Sequence, residues 1–156
     1  MRRLALSLCS ALCSALGLAL ALGAPAAAEP AARTLFGAHD RPSAQAPASH
    51  GSYSKGCLAG AVEIPADGPG WQAMRPSRNR AWGRPEARDF LSRLAEGAQA
   101  AGWPGVLVGD ISQPRGGPML SGHRSHQLGL DLDIWLTPAP ERRLTRAERE
   151  QTGAAS

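Results

Sequence analysis

Four histidines occur in the 156-residue chain, and two of them share one short stretch with two aspartates, S-G-H-R-S-H-Q-L-G-L-D-L-D-I-W-L from Ser121 to Leu136. Imidazole nitrogens and carboxylate oxygens are the donors a catalytic zinc ion prefers, usually three from protein with a further position open to water. His123 and His126 sit on one turn, and Gly129 allows the backbone after it to approach closely. Asp133 can then point back at the turn that bears His126. The candidate metal ligands are therefore His123, His126 and Asp133. The competing reading makes both histidines solvated turn residues and both aspartates a wet surface. An iron site built from the same two histidines and one carboxylate is a third reading, although an open iron triad normally draws one histidine from a distant segment. His39 and His50 have no second donor nearby in sequence and read as solvated.

These residues need elements to hold them. Leu130, Leu132, Ile134 and Leu136 alternate with Asp131, Asp133 and Trp135. Period two predicts a strand with its aliphatic side chains on one face and both carboxylates on the other. Upstream, Pro85 suits a first helical position, Ala87, Phe90, Leu91, Leu94 and Ala98 repeat at helical spacing, and Gly102 can close the end. That predicts one amphipathic helix with Phe90, Leu91 and Leu94 in the core. Val106 to Val108 reads as a short buried strand, Ser112 to Pro118 as a loop, and Gly51 to Trp71 as short strands and turns. Thr145 and Glu148 have the spacing of a capping box opening a polar helix. Arg75, Arg78, Arg80 and Arg84 surround Trp82 and read as a solvated arginine-rich loop, or as a holder for an anionic substrate.

Composition narrows the setting. Arg2 and Arg3 precede a run of Ala, Leu, Ser and Cys, and Ala26 to Ala28 supply small residues for cleavage, so residues 1–28 read as a secretory signal. A retained membrane anchor is the alternative, and a stable anchor after signal cleavage is not expected. Residues 29–50, rich in Ala, Pro and Ser, read as a flexible linker, and residues 51–156 as the folded domain. Cys9 and Cys13 leave with the signal, which makes Cys57 either an inert thiol or half of a disulfide whose partner lies outside the chain. The net charge of +4 could suggest a polyanion, but Lys55 is the only lysine among seventeen basic residues, with no interleaved aromatic residues. Nucleic acid is not an expected partner.

The blocks G-H-R-S-H-Q-L-G-L-D-L-D-I-W-L, G-S-Y-S-K-G-C-L-A-G-A-V-E-I-P and V-L-V-G-D-I-S-Q-P-R-G-G-P together resemble the penicillin-insensitive murein endopeptidases, from about Gly51 to Leu136. These are zinc peptidases related to lysostaphin-type enzymes, D-Ala-D-Ala metallopeptidases and the hedgehog domain. The resemblance implies an α+β fold, a small and mainly antiparallel sheet with flanking helices and a zinc site. It implies a periplasmic metallopeptidase that cuts D-alanyl–meso-diaminopimelate cross-links of peptidoglycan. It places the core metal pair on His126 and Asp133, associates His123 with the zinc, and matches Cys57 to a cysteine that pairs with the far half of such enzymes. Those enzymes continue to a later His-x-His that supplies another ligand and a histidine assisting catalysis. This sequence has no histidine after His126. It is therefore expected to be an N-terminal portion with the C-terminal half missing, and no catalytic residue is assigned in it. The alternative is a non-catalytic cell-wall or metal-binding module derived from such an enzyme.

Overall fold

The computed structural model describes residues 31–122 and 124–151. The signal reading of residues 1–28 and the position of His123 lie outside the described residues. No helix among the described residues is long and apolar enough to cross a membrane.

The described residues are α+β, built as three small sheets and few helices. Among the described residues helix α1 (Ala32–Gly37) comes first, followed by a hairpin of β1 (Ala48–Ser52) and β2 (Lys55–Ala59), paired antiparallel. The stretch read as a flexible linker thus contains a helix and the start of a strand. Ser43 Oγ accepts the Gly60 N–H at 3.0 Å, and Ser49 Oγ donates to the Leu128 carbonyl at 2.8 Å. Side-chain bonds to distant backbone groups tie this low-hydrophobicity stretch down, a signal that composition does not carry.

Strands β3 (Val62–Glu63) and β6 (Trp82–Gly83) form a second antiparallel pair. The largest sheet has four strands in the order β4 (Asp67–Gly68), β5 (Trp71–Ala73), β7 (Val106–Val108) and β8 (Ile134–Pro138). Its pairings are antiparallel except β5 with β7, which is parallel, so the sheet is mainly antiparallel, as expected, with one parallel step. The crossover between those two strands carries α2 (Pro85–Ala100), and a helix in the connection is how parallel neighbours are normally joined.

Helix α2 starts with Pro85 at its first turn and Glu86 beside it, where the missing N–H costs nothing and a carboxylate complements the dipole. It buries Ala87, Leu91 and Ala95, spaced by four, against Ile64, Trp71, Val106, Val108 and Ile111 on one face of the sheet. Leu94 is only half-buried and Phe90 is 47% exposed, so the expected core stripe is narrower than its hydrophobic residues suggest. On the opposite face Met74, Leu107, Trp135 and Ala139 pack together with Leu144.

The alternation from Leu130 to Leu136 resolves differently from expectation. The strand begins only at Ile134, Leu132 and Ile134 pack towards α2, Trp135 is buried on the other face, and Leu136 is 84% exposed. A sheet covered on both faces removes the simple wet-face and dry-face division that period two implies. Helix α3 (Arg146–Gln151) opens with the expected capping box: Thr145 Oγ1 accepts the Glu148 N–H at 3.3 Å, and Glu148 Oε2 accepts the Thr145 N–H at 2.8 Å. Its Arg149 is buried and spends its guanidinium on Asp67, Gln72 and the carbonyls of Ala66 and Ala73.

Candidate metal centre

Segment 109–112, directly after β7, holds both members of the expected metal pair. The Gly109 N–H donates to the Asp133 carbonyl at 2.7 Å, and the Asp133 N–H donates to the Asp110 carbonyl at 3.0 Å. This continues the β7–β8 pairing by one step and fixes the Asp133 backbone. Ile111 supplies its carbonyl to His126 Nδ1 at 3.1 Å, and Ser112 Oγ donates to the His126 carbonyl at 2.6 Å. One four-residue segment therefore sets the placement of two residues that are far from it in sequence.

His126 is 3% exposed and has a left-handed backbone, with φ at +65°. That conformation is uncommon for a residue with a side chain and persists where the surroundings over-determine it. Here the N–H of His126 is held by Asp131 Oδ2 at 2.8 Å and its carbonyl by Ser112. Gly129, also left-handed at φ +68°, closes the turn, and a Cβ there would meet Leu58 Cδ2 at 2.5 Å. The sequence argument for a glycine at this position holds, with Leu58 and Gly83 as the neighbours that demand it.

The ring geometry determines what the histidine can do. A carbonyl oxygen only accepts, so Nδ1 carries the hydrogen that reaches Ile111 and the neutral ring keeps its lone pair on Nε2. Nε2 lies 3.3 Å from Asp133 Oδ1. Two donors of a tetrahedral zinc ion at ordinary Zn–N and Zn–O lengths stand roughly 3.3–3.5 Å apart. The pair therefore fits that ion in donor type, spacing and tautomer. The Ile111 carbonyl at Nδ1 is the kind of outer partner that metal-bound histidines characteristically have. The Asp133 side chain is 51% exposed and that of His126 is 4% exposed, so the pair opens towards solvent on its carboxylate side.

Asp131, expected beside Asp133 on one face, turns instead to the His126 backbone. Among the described residues, which omit His123, no trio of His, Cys, Asp and Glu side chains is assembled. His50 lies exposed on β1 opposite Cys57, and His39 is exposed as well. Cys57 is a free, half-buried thiol.

The arginine-rich segment is not a solvated loop. It is pinned by a 3-10 turn (Pro76–Arg78) and by β6. Arg75 stacks over Trp135 at 5.5 Å, and Arg84 pairs with Glu86 at 2.6 Å. Arg78 and Arg80 both reach Asp110 Oδ2, at 3.1 and 2.5 Å, and that carboxylate is almost fully buried. Sequence reasoning gave no role to Asp110, Ile111 or Ser112. Two signals were present: their place immediately after a buried strand, and the block V-L-V-G-D-I-S-Q-P that contains them and carried part of the resemblance.

Comparison with known proteins identifies the family. Residues 49–156 match a family-wide sequence profile described as penicillin-insensitive murein endopeptidase. The chain is 54% identical over 86 residues to the penicillin-insensitive murein endopeptidase of Haemophilus influenzae, covering 55% of this chain and 30% of that protein. It is 43% identical over 95 residues to the one from Yersinia enterocolitica, covering 61% and 34%. It is 41% identical over 100 residues to the one from Klebsiella pneumoniae, covering 64% and 36%. The chain spans about a third of the length of these curated relatives. The profile takes in His126, Asp133 and the whole 109–112 segment that holds them, and the chain belongs to the penicillin-insensitive murein endopeptidase family.

Proposed function

We propose that this chain carries the zinc-binding part of an exported metallo-endopeptidase that acts on peptidoglycan peptide cross-links, between D-alanine and meso-diaminopimelate. The observation that supports it most directly is the 3.3 Å approach of His126 Nε2 to Asp133 Oδ1, with Nδ1 committed to the Ile111 carbonyl. His123, outside the described residues, is the further donor this reading assigns. Zinc, when bound, lowers the pKa of a coordinated water and polarises the scissile carbonyl.

The chain's own residues do the positioning. Ile111 holds the His126 ring in the tautomer that offers Nε2 outward. Asp133, fixed through Gly109 and Asp110, presents its carboxylate from the solvent side. Arg78 and Arg80 share the single Asp110 carboxylate, leaving one surplus positive charge on that flank, which suits the acidic groups of the cross-bridge. Export to the periplasm follows from the signal-like residues 1–28, and Cys57 is the thiol this reading assigns to a disulfide with a segment beyond this sequence.

The test is digestion of purified cross-linked muropeptide with and without added zinc, followed by separation of the products. Zinc-dependent release of uncross-linked peptides, lost in Asp133→Ala, is the expected result once the chain is joined to the later His-x-His segment that the resemblance implies. Tight zinc and muropeptide binding without cleavage would replace this reading with that of a non-catalytic cell-wall module.

A further inference from the structure

The geometry points to Arg80 as a positioning residue for the metal pair, its guanidinium bridging Asp110 and Ser121 so that the His126 turn is locked to the segment that holds Asp133. Arg80 NH1 bonds Asp110 Oδ2 at 2.5 Å, and Arg80 NH2 bonds Ser121 Oγ at 2.9 Å. Asp110 is the residue whose carbonyl grips the Asp133 N–H, and Ser121 begins the stretch that leads to His126. A single planar fork therefore touches Asp110, whose carbonyl holds Asp133, and Ser121, five residues before His126. The backbone of Arg80 takes part too, since its carbonyl accepts the N–H groups of Ile111 and Ser112, the two residues bonded to His126.

The charge arrangement supports a positioning role. The Arg80 side chain is only 16% exposed and that of Asp110 3% exposed, so the ion pair is largely withdrawn from water. Such a pair gives little net stability over an apolar one, and its retention makes sense where it fixes geometry. Arg78, 37% exposed, adds a second guanidinium to the same oxygen, which keeps Asp110 oriented if the fork is disturbed. Arginine is required for the bridge because two donors must leave one planar group towards different partners, which an ammonium cannot reproduce.

This inference rests on the metal-pair reading, and its test uses a measurement that needs no metal. In the full chain, nitrogen-15 NMR of the metal-free protein reports the His126 Nδ1–H and its exchange with solvent. Zinc affinity is measured separately by competition with a chromogenic chelator. Arg80→Ala is expected to speed Nδ1–H exchange and to weaken zinc binding about 10-fold, the scale for losing an outer partner of a metal site. Arg80→Lys is expected to fall between wild type and Arg80→Ala, and Ser121→Ala to reproduce part of the loss without adding to it in the double variant. Unchanged exchange in Arg80→Ala would overturn the proposal. Should that variant fail to fold, unchanged exchange in both Arg80→Lys and Ser121→Ala would do the same. Wild-type zinc affinity in His126→Ala would instead overturn the metal reading, leaving the exchange result to judge Arg80 by itself.

Discussion

Asp131 Oδ2 accepts the backbone N–H of His126 at 2.8 Å, while Asp133, two residues on, presents Oδ1 to the ring of the same histidine at 3.3 Å. The two carboxylates thus divide the work: one holds the left-handed turn and the other faces the lone pair. Removing the first should damage the fold more than the site chemistry. Asp131→Ala is expected to cost about 1–3 kcal/mol in urea unfolding, through the lost charge-assisted bond that holds the left-handed turn at His126. Asp133→Ala, whose side chain is half exposed, should cost less than about 1 kcal/mol in the absence of metal.

Gly109 packs its bare Cα against the metal-pair strand. An added Cβ would stand 3.0 Å from Asp133 Cβ and 3.1 Å from Trp135 Nε1, both in positions fixed by backbone pairing. Gly109→Ala should therefore displace Asp133 while leaving most of the fold in place. Zinc affinity is expected to fall about 10-fold, as for other losses of support around a metal ligand. Chelator competition measures it, and thermal unfolding of the metal-free protein serves as the control.

Acid should loosen α3 before it reaches the core. The Glu148 carboxyl is lowered to about 2, first by its hydrogen bond with Arg142 and then by the Thr145 backbone N–H. The Glu150 carboxyl is lowered chiefly by the Ser77 hydroxyl and then by the Ser77 N–H. Both have folded-state values below their unfolded ones, so their stabilisation is fully present above the ordinary glutamate range, near pH 4.5, and is lost as pH falls towards the folded values. Protection of α3 amides, taken relative to the intrinsic exchange rate at each pH, should fall between about pH 4.5 and 2 while β7 stays protected. Glu150→Gln should remove part of that pH dependence.

Strand β8 lies at the outer end of the four-strand sheet and shows Leu136 at 84% exposure. Beside it Leu94, Ala98, Trp103 and Ile134 line an apolar groove of about 500 Å³. An open strand edge next to apolar surface is a template for pairing with another chain. Leu136→Lys is expected to lower self-association of the isolated chain, read by sedimentation velocity across a concentration series, without changing its circular dichroism.

Much of this was legible from residue order alone. Helix α2, strand β7 and the capping box of α3 follow local rules of propensity and capping, and each forms at its expected place. The meeting of His126 with Asp133 was also readable, because a turn, a glycine and an aspartate stand at short spacing. What local pattern could not carry was anything set by distant pairing. The parallel β5–β7 step, the burial of Trp135 where Leu136 was expected, and the roles of Ser112 and Ile111 all depend on which segments meet across the sheet. The arginines illustrate the same limit, since their partner Asp110 lies some thirty residues away.

Zinc binding by the full chain tests the central claim most directly, with stoichiometry and affinity measured beside His126→Ala and Asp133→Ala. The geometry predicts one zinc per chain, with affinity falling by at least about 100-fold in either variant, since each removes a direct ligand. Zinc affinity that is equal in wild type and both variants, or absent from a folded wild-type chain, would contradict the claim that His126 and Asp133 form a metal pair.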